Sequence, residues 1–115
     1  MKGEKKGNKK DLEKRTKAFA LNVIRFCSTL PNTPEARVIG KQMLRSGTSV
    51  GAHYREAYRA RSTAEFISKL QGGLQELEES LYWMELIVEA AIVPEPRLKD
   101  LFIEADELMA ILTTC

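Results

Sequence analysis

The chain lacks the residues on which most enzymes and metalloproteins depend. Its 115 residues include one histidine and two cysteines. The di-iron site of helix bundles needs a Glu-x-x-His motif on two helices, and the residue three positions before His53 is Val50. No nucleophile is placed as a partner for His53, and no Gly-rich phosphate loop or metal-type cysteine cluster is present. The sequence therefore predicts a protein that is not an enzyme, with no catalytic residue, no metal and no cofactor.

Long apolar runs are also missing. No 18 consecutive residues are apolar, which excludes a transmembrane helix. The basic start MKGEKKGNKK is not followed by an apolar run, so no signal peptide is predicted. Cys27 and Cys115 have neither metal-ligand spacing nor a disulfide framework. Together these features predict a cytoplasmic protein with no membrane partner.

The only strong periodicity in the chain is helical, and no segment alternates like a strand. Residues 1–10 are predicted to be a flexible basic tail, and residues 11–115 a single domain. Four helices are expected, over about 11–30, 34–60 and 62–92, with the last beginning after Pro94-Glu95-Pro96. Asp11, Thr33 and Ser62 are the predicted N-caps. The predicted fold is all-α, an antiparallel up-down four-helix bundle.

Apolar residues at helical spacing indicate the face of each helix that enters the core. In helix one these are Ala18, Leu21, Ile24 and Cys27, flanked by Phe19 and Phe26. In helix two they are Ile39, Met43, Val50, Tyr54 and Ala57. In helix three they are Phe66, Leu70, Leu74, Leu77, Leu81, Met84 and Val88. In helix four they are Leu98, Leu101, Phe102, Ala105, Leu108, Met109 and Leu112.

The formal net charge of +2 conceals a strong polarity. Residues 1–61 contain 15 Lys/Arg and 5 Asp/Glu, a net charge of +10. Residues 62–115 contain 3 Lys/Arg and 11 Asp/Glu, a net charge of −8. This distribution favours a surface that binds polyanions and a contrasting surface that pairs with protein.

The basic charge is concentrated on one face of helix two. At about 100° per residue, five cations fall within an arc of roughly 80°, opposite the apolar stripe. They are Arg37, Lys41, Arg45, Arg55 and Arg59. Thr48 and Ala52 lie between them and are small enough for a phosphate backbone to approach. A solvated helix face would show the same pattern, but the lysines of the first 17 residues add to it and favour a nucleic-acid site.

Helix three places an apolar group away from its core stripe. The group is predicted to form an oligomer interface through Tyr82, Trp83, Leu86 and Ala90, because large exposed apolar patches are uncommon on monomers. Partial coverage by helix four or by a loop is the alternative. Gly72-Gly73 in the middle of the same helix indicates a close helix crossing or a bend. Glu76, Glu78 and Glu79 are expected to form a solvated acidic face.

The run Arg45-Ser46-Gly47-Thr48-Ser49-Val50-Gly51-Ala52-His53-Tyr54-Arg55-Glu56-Ala57 and the later Glu65-Phe66-Ile67-Ser68-Lys69-Leu70 resemble a bacterial four-helix-bundle family. Its members are encoded in intervening sequences of 23S ribosomal RNA genes. The similarity covers about residues 12–112. His53 stands where family members usually have Asn. The resemblance implies an up-down bundle, a ring-shaped homopentamer and, from a relative in diversity-generating retroelements, nucleic-acid binding.

Two functional hypotheses follow. The first is a non-enzymatic homo-oligomer, a pentamer, that binds RNA or DNA through phosphate contacts along helix two. The second is a scaffold or regulator with no nucleic-acid role, whose basic stripe pairs with acidic protein surfaces. The +10 and −8 halves are compatible with either hypothesis.

Overall fold

A computed structural model describes residues 2–114, with side chains from residue 9 onward. The helices are α1 (Lys2–Cys27), α2 (Pro34–Ala57), α3 (Thr63–Glu89) and α4 (Lys99–Thr113), with a 3-10 turn over Glu95–Arg97. They pack into a rod of 47 × 22 × 19 Å in which α2 contacts α1 and α3, and α4 packs on α3 and α1. Residues 2–114 contain no strand, which confirms the all-α bundle.

Two predicted N-caps are present. The Thr33 side chain accepts a hydrogen bond from the Ala36 backbone amide at 3.2 Å and begins α2. Ser62 does the same for α3, accepting from the Glu65 amide at 3.1 Å. Such caps satisfy amide groups that have no partner inside the helix. Both helix starts were therefore readable from the sequence.

The start of α1 was predicted wrongly. The helix begins at Lys2 rather than at Asp11, so Asp11 is an interior residue and not an N-cap. The Tyr54 hydroxyl donates a hydrogen bond to the Lys9 carbonyl at 3.4 Å, and the Lys9 ammonium lies 5.1 Å from the centre of the Tyr58 ring. These contacts tie the segment before Asp11 to α2. The predicted flexibility of residues 1–10 stays a prediction, and Met1 and Cys115 lie outside the described residues.

The buried face of α1 also differs from the prediction. Ala18, Leu21 and Ile24 are exposed. The buried face consists of Leu12, Thr16, Phe19, Val23 and Phe26. This face buries two aromatic rings and hence more apolar area than the predicted stripe. Thr16 belongs in it because its hydroxyl donates to the Leu12 carbonyl at 2.7 Å, so no polar group is left unsatisfied.

Small residues bring α2 close to both of its neighbours. A Cβ atom on Gly47 would lie 2.9 Å from both Cγ atoms of Val23 in α1. On the other side, a Cβ atom on Gly72 of α3 would lie 3.0 Å from Nδ1 of His53. The close crossing predicted at Gly72-Gly73 is thus present. Between α2 and α3 the buried hydroxyls of Ser46 and Ser80 hydrogen-bond at 2.8 Å.

The stripe predicted for α4 is confirmed, and it closes the bundle. Leu98, Leu101, Ala105, Leu108 and Leu112 are all buried. An ion pair from α1 fixes the outer edge of this contact. The Arg15 guanidinium donates to both oxygens of Glu104, at 2.6 and 3.0 Å, and also to Glu107 at 3.0 Å. None of the helices in residues 2–114 has the length and apolar character needed to cross a membrane.

Candidate nucleic-acid interface

Four of the five cations predicted on helix two form a basic row, and Arg59 lies in the turn after α2 because the helix ends at Ala57 rather than at about residue 60. Arg37, Lys41, Arg55 and Arg59 are exposed, and none has an ion pair with residues 9–114. Within residues 9–114, the Arg37 guanidinium donates to the neutral Asn32 side chain, at 2.5 Å. At 1.5 Å rise per residue, the row extends about 27 Å along α2 between Arg37 and Arg55. Its cations are therefore available to several successive phosphates.

The fifth cation, Arg45, is separated from that row by its partners. Its Nη1 lies 3.3 Å from Oε1 of Glu76, and its Nη2 donates to Glu79, both on α3. The Glu79 hydrogen bond raises the pKa of Arg45, while the Arg45 hydrogen bond lowers the pKa of Glu79. Glu76 and Glu79, predicted to be a solvated acidic face, thus compensate the one α2 cation that faces α3.

A cation that the wheel of helix two did not include joins the basic row from α1. Lys17 and Arg55 line one groove between α1 and α2, with a volume of about 310 Å³. Its other lining residues are Thr16, Ala20, Thr48, Gly51 and Ala52. Because these side chains are small, the groove is open between the two cations. Thr48 and Ala52, predicted to let a phosphate backbone approach, line this groove. The sequence counted Lys17 among the lysines that add to the basic face, but its place beside Arg55 depends on the packing of two helices.

A second groove lies further along the same pair of helices. It has a volume of about 450 Å³ and is lined by Arg37 and Lys41 together with Cys27, Leu30, Pro31, Asn32, Ala36, Gly40 and Leu44. Cys27 is half-buried there, and its thiol donates to the Gly40 carbonyl at 3.6 Å. Burial raises the pKa of that thiol to about 11. The α1–α2 face therefore has a cationic groove on each side of its centre.

His53 faces α3 rather than the basic row. Its Nδ1 lies 3.7 Å from Oε1 of Glu56, and its Nε2 lies 3.7 Å from Oε2 of Glu76. Among the described residues, Nδ1 is buried without a hydrogen-bond partner. The histidine therefore lies among carboxylates, on the side of α2 that contacts Gly72.

Of the four residues predicted to form the oligomer interface, two are exposed and two are half-buried. Tyr82 is 54% exposed and packs edge-on against Trp83, with ring centres 5.1 Å apart. Trp83 is half-buried, and its indole N–H donates to Glu79 at 3.3 Å. Leu86 is half-buried and Ala90 is exposed. Tyr82 therefore provides most of the exposed aromatic surface of this patch.

The opposite side of the molecule is acidic. A groove of about 470 Å³ between α3 and α4 is lined by Glu85, Val88, Glu89, Glu95, Lys99, Phe102, Ile103 and Asp106. Four carboxylates thus surround an apolar floor. The basic and acidic halves of the sequence therefore form two opposite faces of the molecule. The α1–α2 face is basic and the α3–α4 face is acidic.

The protein is a small helical bundle protein: it has four helices, a basic face and no strand in residues 2–114. Residues 8–114 match the 23S rRNA-intervening sequence proteins. The chain belongs to this family, as its helix-two signature predicted.

A solved structure supports the same assignment. It is a protein of unknown function from the S23 ribosomal protein family of Bacteroides thetaiotaomicron, 33% identical in sequence. The match covers 89% of this chain and 94% of that one, with a TM-score of 0.83. A comparison with curated proteins found no match.

Proposed function

We propose that this protein is a non-enzymatic, cytoplasmic homo-oligomer, a pentamer, that binds RNA or DNA through its α1–α2 face. The observation that supports binding is the row of Arg37, Lys41, Arg55 and Arg59, exposed and without a carboxylate partner among residues 9–114. Arg45, on the same helix, does find such partners. Unpaired cations in line repel one another, and phosphates would relieve that repulsion.

The geometry favours contact with the phosphate backbone rather than readout of bases. The two grooves on this face are shallow and lined mainly by small or apolar side chains, with cations at their margins. Such contacts position a nucleic acid without reading its sequence. Assembly into a ring would repeat the basic row in every subunit, so weak individual contacts would act together.

Salt-dependent binding tests this proposal. Affinity for a structured RNA and for duplex DNA, measured by fluorescence anisotropy between about 50 and 200 mM salt, should fall steeply because each neutralised phosphate releases counterions. Arg55→Glu should weaken binding at every salt concentration. Lys99→Glu makes the same charge change on the acidic face and should leave binding unaltered. Affinity that is independent of salt, or equal losses in both variants, would contradict the proposal.

The acidic α3–α4 groove favours a second candidate function, that of a protein scaffold. Its four carboxylates around Val88, Phe102 and Ile103 complement the basic α1–α2 face. Under this alternative, the basic row docks on acidic protein surfaces and binds no nucleic acid. Light scattering separates the two functions: a salt-sensitive complex that is unaffected by added RNA, together with no RNA binding, supports the scaffold.

A further inference from the structure

An aromatic cluster lies at the end of the bundle where α2 turns into α3. The Tyr58 ring packs edge-on against Tyr54 and Phe66, with ring centres 5.1 and 5.2 Å away. Tyr58 is 39% exposed and Ile67, one turn into α3, is 48% exposed. Because its neighbours contact it edge-on, the Tyr58 ring is held in position while part of its surface stays open to solvent.

The long, charged side chain of Lys9 lies over one face of the Tyr58 ring. The Lys9 ammonium lies 5.1 Å from the ring centre, in a cation–π contact. Such a contact at an exposed site is weak. Another planar group can therefore displace the ammonium, which would remain beside that group and carry a positive charge.

The surroundings of Tyr58 are cationic. Arg59 and Arg61 follow it in the turn, are exposed, and have no ion pair with residues 9–114. Two carboxylates of this end of the bundle, Glu56 and Glu65, have partners of their own. Glu56 lies 3.5 Å from the Lys69 ammonium, and Glu65 accepts a hydrogen bond from the Arg61 backbone amide at 3.4 Å.

An exposed ring held in place among unpaired cations is the combination by which proteins bind single-stranded nucleic acid. The ring stacks on a base, which in a duplex is already stacked and paired, and the cations neutralise the flanking phosphates. We propose that Tyr58 is a stacking platform for an unpaired base of single-stranded RNA or DNA. This inference rests on the proposed function, because the strand would continue from Tyr58 along the basic row that begins at Arg55 and Arg59.

The contrast with Tyr82 supports this assignment. Tyr82 is the more exposed of the two tyrosines and also packs edge-on against a neighbouring ring. It stands on α3 between Glu78 and Glu85, which are exposed and would repel phosphates. An exposed tyrosine thus has the charge environment of a nucleic-acid site at the α2–α3 turn but not in the middle of α3.

The test compares a 15-nucleotide single strand with the duplex of the same sequence, by fluorescence anisotropy. Tyr58→Ala should weaken single-strand binding roughly five- to 150-fold, the range for loss of one stacking aromatic ring. Duplex binding should change less than about two-fold, because paired bases do not reach the ring. Tyr58→Phe, which keeps the ring, is the matched control and should retain single-strand affinity.

A second measurement does not depend on removing the ring. In Tyr58→Trp the fluorescence of the added indole can be followed. The wild type contains a single tryptophan, Trp83, and its emission is subtracted as background. A stacked base should quench the added emission when the single strand is bound. Unquenched emission on saturation, or equal affinity losses for single strand and duplex in Tyr58→Ala, would overturn the platform while the basic row still bound both. A wild type that binds neither strand form would overturn the proposed function as well.

Discussion

Arg45 on α2 donates a hydrogen bond through Nη2 to Oε1 of Glu79 on α3. The same guanidinium lies 3.3 Å from Glu76, so two carboxylates compensate one cation. On a helical wheel Arg45 differs from its neighbours in the basic row by only about 40–80°. That rotation is enough to turn it from the open α1–α2 face toward the acidic side of α3.

The first prediction separates Arg45 from the other cations of α2. Arg45→Gln and Arg55→Gln remove the same charge, but only Arg55 is free to contact a phosphate. Arg55→Gln should therefore reduce the slope of log K against log salt by about 1, whereas Arg45→Gln should leave the slope unchanged. The measurement is anisotropy with duplex DNA over a salt series. An equal reduction in both variants would show that the Glu79 partner yields to phosphate.

The ion pair also predicts a dependence of stability on pH. The Arg45 hydrogen bond lowers the pKa of folded Glu79 below its ordinary value of 4.5. A depressed folded pKa means that the contribution is present above pH 4.5 and is lost as the pH falls through the folded pKa. The difference in urea midpoint between wild type and Glu79→Gln should thus be present at pH 7 and shrink below pH 4.5. Because both side chains are substantially exposed, we expect a small difference.

A neighbouring carboxylate provides the control for this pH measurement. Glu78 is exposed and has no ion pair among the described residues. Glu78→Gln should show no comparable loss of a midpoint difference on acidification. If both variants behave alike below pH 4.5, general repulsion on the acidic face, and not the Arg45 pair, determines the effect.

The close approach of α1 and α2 at Gly47 gives a prediction about packing. A methyl group at Gly47 would lie 2.9 Å from both Cγ atoms of the fully buried Val23. Overpacking of this kind costs about 1–3 kcal/mol, against a gain of about 1 kcal/mol for alanine over glycine in a helix. Gly47→Ala should therefore lower the free energy of unfolding in the wild type and raise it in a Val23→Ala background. Urea unfolding of the four proteins measures this coupling, and additive effects would contradict it.

The buried face of a helix can be predicted from the sequence when its apolar residues form an uninterrupted stripe. In α4 the stripe from Leu98 to Leu112 has no polar interruption, and the prediction was right. In α1 the buried face is interrupted by Thr16, which a search for apolar residues treats as a break. The hydrogen bond from its hydroxyl to the Leu12 carbonyl allows Thr16 to be buried, and this bond exists only once the helix has formed.

In the candidate site, some features depend on the geometry of one helix and others on the packing of two helices. A helical wheel identified the cations of α2 because their common face depends on the geometry of α2 alone. It did not identify Lys17, which reaches the groove beside Arg55 only because α1 packs there. It also did not separate Arg45 from the row, since the partners of Arg45 belong to α3. Contacts between helices are set by packing, which the pattern of one helix does not specify.

The last prediction concerns the subunit contact. If the patch on α3 forms the oligomer interface, Tyr82 should dominate it, because it is 54% exposed while Trp83 is half-buried against its own bundle. Loss of a central interface aromatic costs about 2 kcal/mol or more, which is roughly a 30-fold weakening of association. Tyr82→Ser should thus lower the mass measured by light scattering at micromolar concentration, without changing the helical content. Ile103→Ser, at an exposed apolar position in the acidic groove, is the matched control. If Ile103→Ser dissociates the oligomer and Tyr82→Ser does not, the subunits associate through the α3–α4 groove instead.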